Sequence, residues 1–85
     1  MVLRIEKILA ADRDVLRLSG DLEAEQLNEL KALIHDEHRT TLDLSELSLV
    51  DLEAVRFLGA CEEKTVVLHR CPPYIREWIN REKET

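Results

Sequence analysis

TTLDLSELSLVDLEAVRFLGA, residues 40–60, is the stretch on which the reading of this chain turns. Its first five residues alternate: Leu42 and Leu44 point one way, Thr41 and Asp43 the other, as in a half-buried strand. The serines and acids of residues 45–51 read as a tight polar turn. Asp51 is then a good N-cap, because its carboxylate can accept the free N–H groups of a first helical turn. Leu52 is the first helical residue and Glu53 the second. At about 100 degrees per residue, Ala54, Phe57, Leu58 and Cys61 share the core-facing arc. Arg56, Ala60 and Glu63 lie opposite, with Glu53 at their edge. Leu52 falls on the polar side, beside Arg56. An apolar side chain inside a charged rim can anchor an interface. The alternative is that Leu52 packs locally against Leu47 or Leu49, since single exposed leucines are common.

Downstream, residues 65–69 (TVVLH) read as another strand. Pro72 and Pro73 stop it and start a last helix, because proline suits the first helical position. There Tyr74, Ile75, Trp78 and Ile79 form one arc, read as core rather than as a partner groove. Upstream, residues 23–36 are a helix with Leu27, Leu30 and Ile34 on one face and Glu23 and Glu25 at its positive end. Residues 14–19 and 2–9 are strands joined by a short polar turn, hence antiparallel. The order is β-β-α-β-α-β-α. Strands alternating with helices imply crossovers and parallel pairing. The expected fold class is α/β, a small single domain over residues 1–85 with a four-stranded mixed sheet. Strands with one polar face expect helices mainly on one side, so that Arg17, Asp43 and His69 face out and Asp43 is not wholly buried.

The totals narrow the function. The chain has 85 residues, 12 Lys and Arg against 18 Asp and Glu, and a net charge of −6. No Lys and Arg cluster stands apart from neighbouring acids, which argues against nucleic acid and anionic membrane surfaces. The balance fits a protein partner that presents basic groups. No apolar run approaches the ~20 residues that span a bilayer, and the first residues carry charges where a signal peptide needs an apolar core. With Cys61 and Cys71 alone there is no disulfide framework, and a cytoplasmic setting is expected.

Reactive constellations are not found. His35 and His38, with Asp36 and Glu37 between them, invite a metal, but a zinc site needs a third and fourth ligand and none can be nominated. His69, Cys71 and Cys61 are read as packing residues rather than a thiol site. There is no glycine-rich phosphate loop and no nucleophile–histidine–acid set. The expectation is a non-enzyme without cofactor or metal.

Two segments carry a family resemblance. LSGDLEAEQLNELKAL (Leu18 to Leu33) is similar to L-x-G-x-L-D with its following helix. LDLSELSLVDLEAVRFL (Leu42 to Leu58) is similar to LDLS-x-V-x-F-[IM]-D-S-S-G-L-x-x-L. Both patterns belong to the STAS domain of bacterial anti-sigma-factor antagonists, the SpoIIAA-like family. The resemblance implies that fold and a role in signal transduction and transcription regulation. It implies a partner that is an anti-sigma factor and GHKL-type kinase, and a phosphoacceptor serine at the start of the helix. Asp51 matches the family aspartate, and Glu23 retains the charge of the first motif. Leu52 stands at the phosphoacceptor position, Glu53 replaces the second serine and Ala54 the glycine. Leucine accepts no phosphate, so the usual switch is missing. Ser45 and Ser48 are the remaining hydroxyls, read first as local caps. The expected partner-binding residues are Glu23, Ser48, Asp51, Leu52, Glu53 and Arg56. Two alternatives stand beside this reading. One is a STAS-like subunit that binds the ATPase of a lipid-transport ABC complex. The other is a small-ligand or nucleotide sensor.

Overall fold

The computed structural model describes residues 3–9, 13–34, 39–64 and 66–84. Its elements follow the expected order: β1 (Leu3–Leu9), β2 (Arg13–Leu22), α1 (Ala24–Leu33), β3 (Arg39–Val50), α2 (Leu52–Glu62), β4 (Val66–His69) and α3 (Pro73–Lys83). The strands lie side by side as β1-β2-β3-β4. β1 and β2 are antiparallel, whereas β2 with β3 and β3 with β4 are parallel. A short connection can only reverse the chain, while parallel neighbours need a crossover, which α1 and α2 supply.

Leu16, Leu18, Leu42 and Leu44 are fully buried on one sheet face. They share a core with Leu30 of α1, Val55 and Leu58 of α2, and Ile75 and Ile79 of α3. Each such side chain contributes about 1.5–3 kcal/mol by leaving water. The other face is exposed toward its edges: Ile8 and Val67, which the register places at the two ends of one cross-strand row, are 43% and 54% exposed, while Thr41 within that row is buried.

Several local expectations change. Residues 45–50 are not a turn but the second half of β3, and β2 continues through Gly20-Asp21, where a break was expected. Parallel pairing between the two strands carries both forward, with register shifts between Arg17 and Ser19 and between Gly20 and Asp21. Gly20 takes a positive φ of 96°, open to a residue without Cβ. The bulges bring Leu22 and Val50 back to the buried face despite the polar residues before them. The first helix ends at Leu33, with Ile34 already extended. Residues 35–38 and Thr65 lie outside the described residues.

Asp43 is 5% exposed, so the carboxylate expected to be partly open is buried. The register sets Arg17 and His69 on either side of it. Its Oδ1 accepts the Ser45 N–H at 3.0 Å, and Arg17 Nε lies 3.8 Å from Oδ2. Burial alone would raise its pKa, but the Ser45 hydrogen bonds and the charges of Arg70 and Arg17 outweigh it, so the pKa lies below the ordinary value.

The buried arc of α2 is also turned from the expected one. Ala54, Leu58 and Cys61 are buried, but so are Val55 and Gly59, while Phe57 is only half-buried. The cause is α3, which packs along α2. A Cβ on Gly59 would stand 3.6 Å from both Ile79 Cγ2 and Lys83 Cε, so the two helices approach closely there. In α3 itself Ile75 and Ile79 are buried, Trp78 is half-buried and Tyr74 is exposed.

Candidate interaction surface

The surface is built around one carboxylate. Asp51 Oδ1 accepts the Ala54 N–H at 2.9 Å, which is the expected N-cap of α2. Its Oδ2 accepts the Ala24 N–H, also at 2.9 Å. One side chain therefore satisfies free N–H groups in the first turns of two helices, and both positive helix ends favour its charge. Glu23, the N-cap residue of α1, donates its own N–H to Gln26 Oε1 at 3.1 Å. Asp51 thus brings Glu23 beside the start of α2, although 27 positions separate Asp51 from Ala24.

Leu52 follows Asp51 and is 38% exposed, outside the buried core. Leu47 is buried, whereas Leu49 is 44% exposed near the end of β3, two residues before Asp51. Tyr74 of α3 reaches the same end: its hydroxyl donates to the Ser48 carbonyl at 3.1 Å. Leu49, Leu52 and Tyr74 therefore mark one apolar end of the domain, where β3 finishes and α2 and α3 begin. Ser45, Ser48 and Glu53 are exposed around it. Arg56 stands one turn further along α2. Its Nε donates to Glu82 Oε1 at 3.2 Å, and its Nη1 lies 3.9 Å from Glu53 Oε1. Of the six residues expected at a partner surface, Glu23, Ser48, Asp51, Leu52 and Glu53 meet at this end, while Arg56 is turned toward α3.

Leu49 and Tyr74 were not among the expected contacts. The turn assigned to residues 45–51 hid the strand in which Leu49 sits. Tyr74 was placed in the buried arc of its helix, and only the tertiary path of α3 brings it to Ser48.

The cysteines lie elsewhere. Burial pushes the Cys61 thiol up to about 11, and Cys71 is raised for the same reason. A thiol raised in this way is a poor nucleophile. Among the described residues, no three Asp, Glu, His or Cys side chains converge on a metal position.

A family model described as the Mlab STAS domain matches residues 7–81. The chain belongs to the STAS domain family. Solved structures share the fold of this STAS domain. SpoIIAA, an anti-sigma factor antagonist solved in its unphosphorylated form, aligns at 20% identity over 93% of this chain and 82% of its own, with a TM-score of 0.68. An antisigma-factor antagonist STAS domain from Rhodobacter sphaeroides aligns at 18% identity over 80% of this chain and 86% of its own, with a TM-score of 0.64. A protein with a SpoIIAA-like fold from Shewanella loihica aligns at 18% identity over 96% and 76%, with a TM-score of 0.52. A comparison with curated proteins finds no match. No helix among the described residues is long and apolar enough to cross a membrane.

Proposed function

We propose that this STAS domain is a non-catalytic regulator that docks on a protein partner through the end of β3 and the start of α2. The observation that carries the reading is Leu52: an exposed leucine directly after an N-cap, inside a rim of Ser48, Asp51 and Glu53, with Glu23 held alongside. Such a site offers an apolar anchor and polar groups that set orientation. Similarity to anti-sigma-factor antagonists supports an anti-sigma factor or GHKL-type kinase as the partner. In this reading the contact is constitutive, because Leu52 has no hydroxyl to phosphorylate.

A second reading keeps the surface and changes the partner to the ATPase of a lipid-transport ABC complex. Two observations favour it: the matching family model is the Mlab STAS domain, and the usual phosphoacceptor is a leucine.

The test is binding of the wild type and Leu52→Asp to purified candidate partners, chosen from the kinase or ABC ATPase genes that neighbour this one. The variant should bind about tenfold or more weakly. Its urea midpoint should stay close to wild type. Equal binding by both proteins, or a fall in midpoint that accounts for the loss, would sink the docking site. Which ATPase responds decides between the two readings.

A further inference from the structure

The wheel of α2 predicts Phe57 in the core, and that of α1 predicts Ile34 there. Both are only half-buried, and both line the same cleft between α1 and α2. The cleft measures about 490 Å³. Its floor is apolar: Leu27, Ile34, Phe57, Cys61 and Val66. Burial pushes the Cys61 thiol well above neutral pH, so the floor carries no charge there.

Its rim is cationic. Among the described residues, Lys31, Arg56 and Lys64 line the cleft, against Glu53 as the one acid. On a chain of net charge −6 this is a reversal of sign. The three cations differ in what occupies them. Arg56 is held by Glu82 and Glu53. Lys31 Nζ stands over the Phe57 ring, 5.6 Å from its centroid, a weak cation–π contact at an exposed site. Lys64 makes no ion pair among the described residues. An apolar floor kept half open beneath two lysines that have no carboxylate partner among the described residues is matched by a ligand with apolar and acidic groups on one side.

We infer that this cleft seats an acidic amphipathic segment of a protein partner, with apolar side chains over Phe57 and Cys61 and carboxylates at Lys31 and Lys64. The segment continues the surface at Leu52, since Glu53 belongs to both. The inference deepens the docking reading and rests on it for the identity of the partner. It also reverses the charge expected of that partner: along this wall the partner is acidic, although the chain as a whole is acidic too.

The probes are a short helical peptide of leucine and glutamate at amphipathic spacing, the same peptide with lysine at every glutamate, and dodecanoate. The intact chain is titrated with each while backbone amide shifts are followed by NMR. The acidic peptide should bind and move the amides of Phe57, Cys61 and Lys64, and the basic peptide should not. The double variant Lys31→Glu/Lys64→Glu should bind the acidic peptide about tenfold or more weakly, with weaker binding at higher salt for the wild type. Val67→Asp, which places the same charge on the opposite sheet face, should leave peptide affinity unchanged. Absent or equal binding of the two peptides overturns the inference. So does full affinity in the double variant, or a loss in Val67→Asp as large as in the double variant. Dodecanoate that saturates the same amides as tightly as the peptide overturns the choice of occupant, because the cleft is then a fatty-acid site.

Discussion

The two ends of α2 are held in opposite ways. At the start, Asp51 accepts backbone N–H groups from α2 and α1. At the finish, Glu62 accepts side-chain bonds from α3: Arg76 Nη1 at 2.9 Å, Arg76 Nη2 at 2.6 Å and Lys83 Nζ at 2.8 Å. A carboxylate suits the positive start of a helix and opposes the negative end. Glu62 sits at the wrong end for its charge, so it needs two cations; Asp51 needs none. The difference sets what each end offers a partner. At the finish, Glu62 is engaged with two cations of α3. At the start, the backbone does the joining, and Leu52 and Glu53 remain exposed.

Asp51→Ala should show the largest effect. It leaves free N–H groups in two helices, and the expected loss is about 2–3 kcal/mol in urea unfolding. A loss of about 1 kcal/mol or less would mean that only one of the two bonds matters. That result would separate α1 from the surface.

Glu62→Gln should rank next, at about 1–2 kcal/mol near pH 7, because the pair is partly exposed and screening reduces its worth. Its pH dependence sharpens the contrast. Hydrogen bonds from Arg76, against the opposing effect of burial and with help from Lys83, lower the Glu62 pKa from 4.5 to about 2. A depressed carboxyl contributes stability above its unfolded pKa and loses it as pH falls toward the folded value. The difference between wild type and Glu62→Gln should therefore be full above about pH 5 and vanish between pH 4.5 and 2. A difference that persists at the acid limit would assign the effect to packing.

Leu52→Asp should change stability least, within about 0.5 kcal/mol, because the side chain lies outside the core and an acid at this position favours the helix start. A larger loss would place Leu52 among the packing residues and erase the contrast between the two ends.

Much of this architecture was legible in the residues. The alternation of Leu16 with Leu18, and of Leu42 with Leu44, set the buried sheet face. Asp51 and Pro73 marked the starts of their helices, and the order of elements followed from these signals. The failures share a cause. Ser45 to Val50 reads as a turn because Ser45, Glu46 and Ser48 interrupt the strand alternation just before the Asp51 cap, yet in β3 this segment is paired with β2, whose bulges no local pattern reveals. Phe57 reads as core because a wheel assigns faces without knowing which helix packs beside it. α3 covers the Val55 and Gly59 side and leaves Phe57 at the cleft. The Asp51 cap was visible because Ala54 is three residues away; its bond to Ala24 was not, because it crosses a whole strand and helix.

The strand order, β1-β2-β3-β4, has a consequence for how the chain forms during synthesis. Each strand after the first leaves the ribosome to meet an edge that is already built. None has to be inserted between two finished neighbours, and no edge must wait for a distant segment. The β1–β2 hairpin can form first, and each helix and strand that follows adds one more layer to the same growing side. A nascent chain arrested after α2 would already carry the Asp51 carboxylate and the α1 start that it binds, so one half of the docking end exists before α3 is translated.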